Sequence, residues 1–323
     1  MFIHVDIMGS SRSSALKIIA MIPVYNEVDI IGDVIEYLVS QGLELVILDG
    51  SSDGSYEICS RYRGRGVVSL ERLVTPRMEW GSILEALYET ALKHKPDWVL
   101  FSSADEFHES PYLGLSLREA IQSEHRNGYN LIQFNDFEFL PTEQDPDNSE
   151  MDVRKRIKYY TWNDDCHFHC WRVCEGITVL DGGGHYPVFP EHIKVRVCPT
   201  KYVLRHYRIR SYSHGLKKIF EERVPRYPDE ERRKGWHVHY DRFGRDERFF
   251  VIDSRNLNKY DDDGKWITKK TFDWTWGLQA KSWINPPIPS SLPVRIGSKF
   301  PILVSVWKAI FLRKYRQDYS KEQ

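Results

Sequence analysis

The chain has 323 residues, 41% of them hydrophobic, with 45 Lys and Arg against 46 Asp and Glu. Its length exceeds the usual single domain, which predicts one large domain with an extension or two domains, and near-neutral charge argues against general affinity for nucleic acid or acidic membranes. Five cysteines in so long a chain exclude a disulfide scaffold and point to a reducing cytoplasm.

In chain order, residues 1–14 show no positively charged start followed by an apolar core, so no signal peptide is expected, and residues 9–14 read as a flexible lead-in. The apolar run IIAMI at 18–22 suits a strand buried on both faces of a parallel sheet, with Pro23 expected to stop its ladder. Ile30, Ile31, Val34, Ile35, Leu38 and Val39 then fall on one face of a helix that Gly42 is placed to end. Residues 43–48 form a second buried strand, and DGSSDGS at 49–55 follows at its carboxyl end. Ligands of open α/β sheets bind outside the carboxyl ends of the strands, so these two polar loops predict one crevice.

PVYNE at 23–27 followed by LDGSSDGS at 48–55 resembles the opening of family 2 glycosyltransferases, which have the GT-A fold. The resemblance implies a Rossmann-type α/β domain with a mixed, mostly parallel sheet flanked by helices. Residues 1–16 would lead in, residues 17–213 would form the catalytic domain, and 214–323 a helical and irregular extension. It also implies that Glu27 and Asp53 lie near the base of a nucleotide, that the backbone around Pro23 and Tyr25 approaches the ribose, and that Asp49 lines the base pocket.

A third strand is expected at 67–72. Ile83, Leu84, Leu87, Ala91 and Leu92 mark a helix ending near 93–95, and a short strand at 97–101 delivers SSADEF at 102–107. In the family this position carries a D-x-D-like motif, and its A-D-E-F form resembles a subgroup. Asp105 matches the position that binds Mn²⁺ or Mg²⁺, while Ser103 replaces the first Asp, so a further ligand is needed. Departure of a nucleoside diphosphate leaves charge that a hard dication held by carboxylate neutralises. LRHYRIRS at 204–211 resembles the H-Y-x-x-R-S segment of the same subgroup. It implies His206 as second ligand, a structural histidine being the alternative, and Arg208 and Arg210, with Lys217 and Lys218, as holders of the diphosphate. Local charge agrees: residues 97–150 carry 12 Asp and Glu against 2 Lys and Arg, and residues 201–248 carry 14 Lys and Arg against 8 Asp and Glu.

An inverting transfer needs a general base for the acceptor hydroxyl. Asp136, after a strand expected at 130–135, Asp181, and His185 beside the glycine run 182–184 are the leading choices, with Asp164, Asp165, Glu138 and Glu175 also open. CHFHCWRVC at 166–174 reads as a buried strand, its cysteines on one face and His167 and His169 on the other, and no metal site is expected there. Near the end, GWHVHYD at 235–241 again resembles the subgroup, and NPPIP at 285–289 reads as a stiff linker. FPILVSVWKAIFL at 300–312 is too short to span a bilayer. It would pack on the body, or lie on a membrane surface facing a lipid-linked acceptor.

The expectation is a metal-dependent enzyme that moves a sugar from a nucleotide-diphosphate donor to a saccharide or lipid-linked acceptor. One alternative is a sugar-1-phosphate nucleotidyltransferase, which would carry a glycine- and arginine-rich loop after the first strand. The other is a non-catalytic nucleotide-sugar-binding protein, which Ser103 would suit.

Overall fold

The computed structural model describes residues 16–73, 79–146, 151–181, 184–233, 240–241, 243–269 and 271, with only the backbone at 164–166, 180 and 181. The expected lead-in, the 235–239 part of the GWHVHYD string, the linker and the apolar tail lie outside the described residues.

Among the described residues the core is a nine-stranded mixed sheet. Its strands are β1 (Ile18–Val24), β2 (Glu44–Asp49), β3 (Val67–Arg72), β4 (Trp98–Phe101), β5 (Glu106–Glu109), β6 (Leu131–Phe139), β7 (Tyr159–Arg172), β10 (Tyr202–His206) and β11 (Asn258–Lys259); β8 (Thr178–Asp181) and β9 (Tyr186–Val188) pair separately as a hairpin. The order is β3-β2-β1-β4-β7-β6-β10-β5, with β11 beside β7. The first four strands are mutually parallel. β7 and β5 run against them, and β6, β10 and β11 with them, so the sheet is mostly parallel.

The described residues also form helices α1 (Ile31–Ser40), α2 (Ser55–Ser60), α3 (Trp80–Lys93), α4 (Leu117–Arg126), α5 (Val153–Arg156), α6 (Tyr212–Leu216) and α7 (Asp229–Arg233), with a π-helical stretch Lys217–Arg223 continuing α6. Side-chain alternation along β1 explains its unbroken apolar run. Ile18, Ala20 and Ile22 pack in one core with Val34, Ile35 and Leu38 of α1, and Ile19 and Met21 in another with Leu84, Leu87 and Ala91 of α3. The four buried side chains of α1 alone contribute about 8 kcal/mol of gross transfer free energy.

Two expectations are corrected here. Pro23 does not stop the ladder: it lies inside β1 opposite Leu48. Successive residues of a parallel strand bond to alternate neighbours, and Met21 and Val24 accept from Ser102 and Gly50 respectively, so Pro23 faces the side where β4 has already ended at Phe101. Nor does Asp136 follow a strand; it lies in the middle of β6, which runs on to Phe139. The mostly apolar start of β6 gives way to acidic residues because their neighbours are His206 of β10, Arg208 just past it and His167 of β7, which the sequence around 131 does not reveal.

Past β10 the described residues up to Ile252 pack on the body. Ile209, Ile219, Phe243, Phe250 and Ile252 close a third apolar cluster around Leu140. Among the described residues no helix is long and apolar enough to cross a membrane.

Candidate active site

Three turns leave neighbouring strands at their carboxyl ends: 25–30 after β1, 50–54 after β2 and 102–105 after β4. The first two are tied by hydrogen bonds. Asn26 takes the left-handed conformation (φ 53°) that Asn tolerates better than most residues. Its amide N–H donates to Ser51 Oγ at 2.9 Å, and its Oδ1 accepts from Ser52 N at 2.9 Å. Glu27 N and Val28 N donate to Ser55 Oγ and Asp53 Oδ2.

The carboxylates expected to border a nucleoside are bonded within this framework. Asp49, buried at the end of β2, accepts from Ser51 N, Ser51 Oγ and Arg72 Nη1. Asp53 caps the following turn through Ser55. Glu27 is 1% exposed, and its carboxylate accepts from Arg210 Nη2 at 2.6 Å and Lys218 Nζ at 2.7 Å. Arg210 is correspondingly closed to a diphosphate: its guanidinium is buried and donates to Glu27, Asp29 and the Tyr207 carbonyl. Pro23 and Tyr25 are half-buried at the mouth, where the Arg226 guanidinium lies 3.4 Å from the Tyr25 ring centre, with Nη1 buried and lacking a hydrogen-bond partner. Arg226 was not among the expected residues; a single Arg in a charged segment gives no sequence signal.

The third turn joins the other two through Lys218. Its ammonium sits 2.7 Å from Asp105 Oδ2 and 2.7 Å from Glu27 Oε1, so a residue expected to hold phosphate instead bridges two carboxylates. Asp105 Oδ1 lies 3.5 Å from His206 Nε2, which brings the two expected metal ligands together. Strand register explains the meeting. His206 of β10 stands opposite Glu106 of β5 on one side and Glu138 of β6 on the other.

Four carboxylates therefore surround one imidazole: Asp105, Glu106, Asp136 and Glu138 lie 3.5, 4.0, 3.9 and 3.6 Å from His206. Burial would lower the His206 pKa, but Glu138 and Asp105 raise it to about 9. Asp105 is held well below the carboxylate range by Lys218 and His206 in spite of burial. Asp136 is likewise held low by His167 and His206, whereas burial pushes Glu106 and Glu138 up. Arg208 pairs with Glu138 at 3.1 Å and so faces the carboxylates. Asp136 Oδ1 and Glu138 Oε1 are buried with no hydrogen-bond partner.

Beside this group, His167 and His169 lie where the pairing of β7 with β6 shifts register, and they meet half-buried His185 from the turn after β8. The expectation of one face for the cysteines and Phe168 is not met, since Cys170 and Phe168 pack in different cores, and the two histidines gather with a third from outside the run; the H-x-H spacing was the available signal. Asp181 ends β8, and its side chain lies outside the described residues.

Residues 19–173 match the family model described as glycosyl transferase family 2. The chain carries a family 2 glycosyltransferase domain. This domain spans β1 to the end of β7, and includes all three turns, Asp105 and Asp136. No curated protein matches the chain. Among solved structures, a mannosyltransferase from Pyrobaculum calidifontis in complex with GDP-Man and Mn²⁺ is 20% identical, over 38% of this chain and 36% of that one, with a TM-score of 0.30. S. aureus TarS 1–349 in complex with UDP-GlcNAc is 19% identical over 40% and 35%, with a TM-score of 0.27. Another structure of TarS 1–349 is 13% identical over 59% and 60%, with a TM-score of 0.35. This chain spans less than two thirds of each of them.

Proposed function

We propose that this glycosyltransferase domain moves a sugar from a nucleoside diphosphate donor to an acceptor hydroxyl, with inversion and with the help of a divalent cation. The observation that carries the reading is the convergence of the three strand-end turns, the first two laced by Asn26 and the third joined by Lys218, in a chain whose residues 19–173 match the family. The donor set fits a cation of the Mn²⁺ or Mg²⁺ kind. Asp136, Glu138 and His206 each offer an atom within 4.8 Å of the others, two buried carboxylate oxygens lack hydrogen-bond partners, and Asp105 lies against the same imidazole. Bound there, the ion would neutralise charge on the departing diphosphate.

The chain's own groups do the rest. Tyr25 and the backbone of 23–26 border the nucleoside, and Arg226, stacked on Tyr25 with a donor unused, reaches the phosphates. Asp136 is fully buried and held ionised, which makes it a ligand and a weak base. His185 faces two imidazoles. Acceptor deprotonation is left to a carboxylate outside this cluster, and Asp181, at the end of β8, is the one to test first among Asp164, Asp165, Glu175 and itself. The acceptor is a saccharide or lipid-linked hydroxyl.

A thermal-shift panel of nucleoside diphosphates with and without Mn²⁺ tests this. A nucleotide at a hundred times its Kd stabilises the chain by about 2.7 kcal/mol. Asp105→Ala should lose the Mn²⁺-dependent part of the shift. Asp181→Asn should keep the shift and lose turnover by about 10²- to 10⁴-fold. A wild-type melt unmoved by every nucleotide, with or without Mn²⁺, would sink the reading.

A further inference from the structure

Three imidazole nitrogens point at one another beside the carboxylate group. His169 Nε2 lies 2.7 Å from His185 Nδ1, and His167 Nδ1 lies 3.2 Å from His169 Nε2 and 3.1 Å from His185 Nδ1. An N–H···N hydrogen bond needs one nitrogen with a proton and one with a lone pair. Around a triangle that condition cannot be met on all three edges, because two of the three nitrogens must be alike. At least one edge then sets two lone pairs, or two N–H groups, against each other within hydrogen-bond distance. A cation that accepts all three lone pairs removes the conflict.

From this geometry we infer a tri-histidine site for a zinc-class ion, formed by His167, His169 and His185 and separate from the oxygen-rich group around His206. Zn–N bonds of about 2.0–2.1 Å at tetrahedral angles place ligand nitrogens about 3.3 Å apart, so the triangle opens by about 0.6 Å on its 2.7 Å edge and by about 0.1–0.2 Å on the other two. Three neutral nitrogens suit Zn²⁺, Co²⁺ or Ni²⁺, and not the hard ions that prefer oxygen.

The other nitrogens are arranged as such a site requires. His169 Nδ1 is 3.0 Å from His108 Nε2, and His167 Nε2 is 3.3 Å from Asp136 Oδ2. His108 thus meets the outer nitrogen of His169, while His167 Nε2 is buried beside the Asp136 carboxylate without a hydrogen bond, a contact that an N–H there would complete once Nδ1 binds a metal. The turn that brings His185 is also built for close approach. Gly184 has φ +94°, and a Cβ there would lie 3.0–3.1 Å from Leu84 and Phe101. The His185 carbonyl accepts from Phe168 N at 3.0 Å. The ion would pin the β8–β9 turn to β7, and half-buried His185 leaves the fourth position to water or a substrate oxygen.

The purified full chain, stripped with a chelator and dialysed, is titrated with Zn²⁺ while bound metal is counted by mass spectrometry, and with Co²⁺ while visible spectra are recorded. One equivalent of Zn²⁺, and the strong visible bands of four- or five-coordinate Co²⁺, are expected. His185→Ala, at a half-exposed turn, should weaken Zn²⁺ binding at least tenfold, and His206→Ala should leave it within about threefold. Absence of stoichiometric Zn²⁺, the weak spectrum of six-coordinate Co²⁺, unchanged binding in His185→Ala, or loss in His206→Ala alone would each overturn the site. The Co²⁺ spectrum is read on the wild-type chain, so a misfolded variant cannot decide the matter. Nucleotide shifts with Mn²⁺ are a separate readout, so the donor reading can fail without this one.

Discussion

Lys218 concentrates the electrostatics of the site in one atom. Its ammonium is 2.7 Å from carboxylate oxygens of both Glu27 and Asp105, all three side chains being 6% exposed or less. Removing one member of a buried ion group leaves the others uncompensated, which costs about 3–5 kcal/mol. Lys218→Met, close in shape and without charge, should therefore lower the melting temperature markedly. Lys218 also limits the cation. Asp105 Oδ2 is already bonded, so an ion sharing Asp105 must use Oδ1 or displace the ammonium. In Lys218→Met that competition is gone, so millimolar Mn²⁺ should restore part of the lost stability and bind more tightly than to wild type. If calorimetry shows Mn²⁺ moving the melt of neither protein, Asp105 is no ligand.

At the level of elements, Gly215 shows how closely the helix after β10 is fitted. A Cβ at Gly215 would lie 2.2 Å from Phe250 Cδ1, and Phe250 is fully buried. Gly215→Ala gains helix propensity yet must push the ring aside, and overpacking of this kind costs about 1–3 kcal/mol. Phe250→Leu in the same chain should recover part of the loss, so that the two changes are coupled in a double-mutant cycle; additive effects would show the contact to be slack.

The strands and helices of the first unit were legible because burial on both faces writes continuous apolar runs and period-3.6 stripes. β1, α1, β2 and β3 fall within two residues of their expected limits. Asp105 and His206 were legible as a pair through the resemblance, and the structure sets them 3.5 Å apart. The partners of Glu27 were not. Nothing local distinguishes an acid that faces solvent from one that meets Arg210 and Lys218 from 183 and 191 positions away. The imidazole triangle was hidden likewise, since β7 supplies two corners and the third comes from a turn 16 residues past His169.

At the scale of the molecule, the chain beyond residue 213 closes the site as well as the fold. It contributes Lys218 to Glu27 and Asp105, Glu222 to Asn26, and the edge strand β11 to β7. Ile219, Phe243, Phe250 and Ile252 cover Leu140 and Ile209, and Ile252 N donates to the Pro141 carbonyl. A fragment ending at Ser213 keeps every strand of the sheet except β11. It exposes two fully buried side chains and leaves Asp105 without its ammonium, while Glu27 retains Arg210. Losing four buried apolar partners forfeits about 6–12 kcal/mol of gross burial, comparable to the whole stability of a typical domain. The fragment 17–213 is therefore expected to melt without a cooperative transition and to be cut rapidly by protease, while the full chain resists under the same conditions. A fragment that melts sharply near the full-length temperature would show the later residues to be an appended layer, and Lys218 dispensable for setting the three turns.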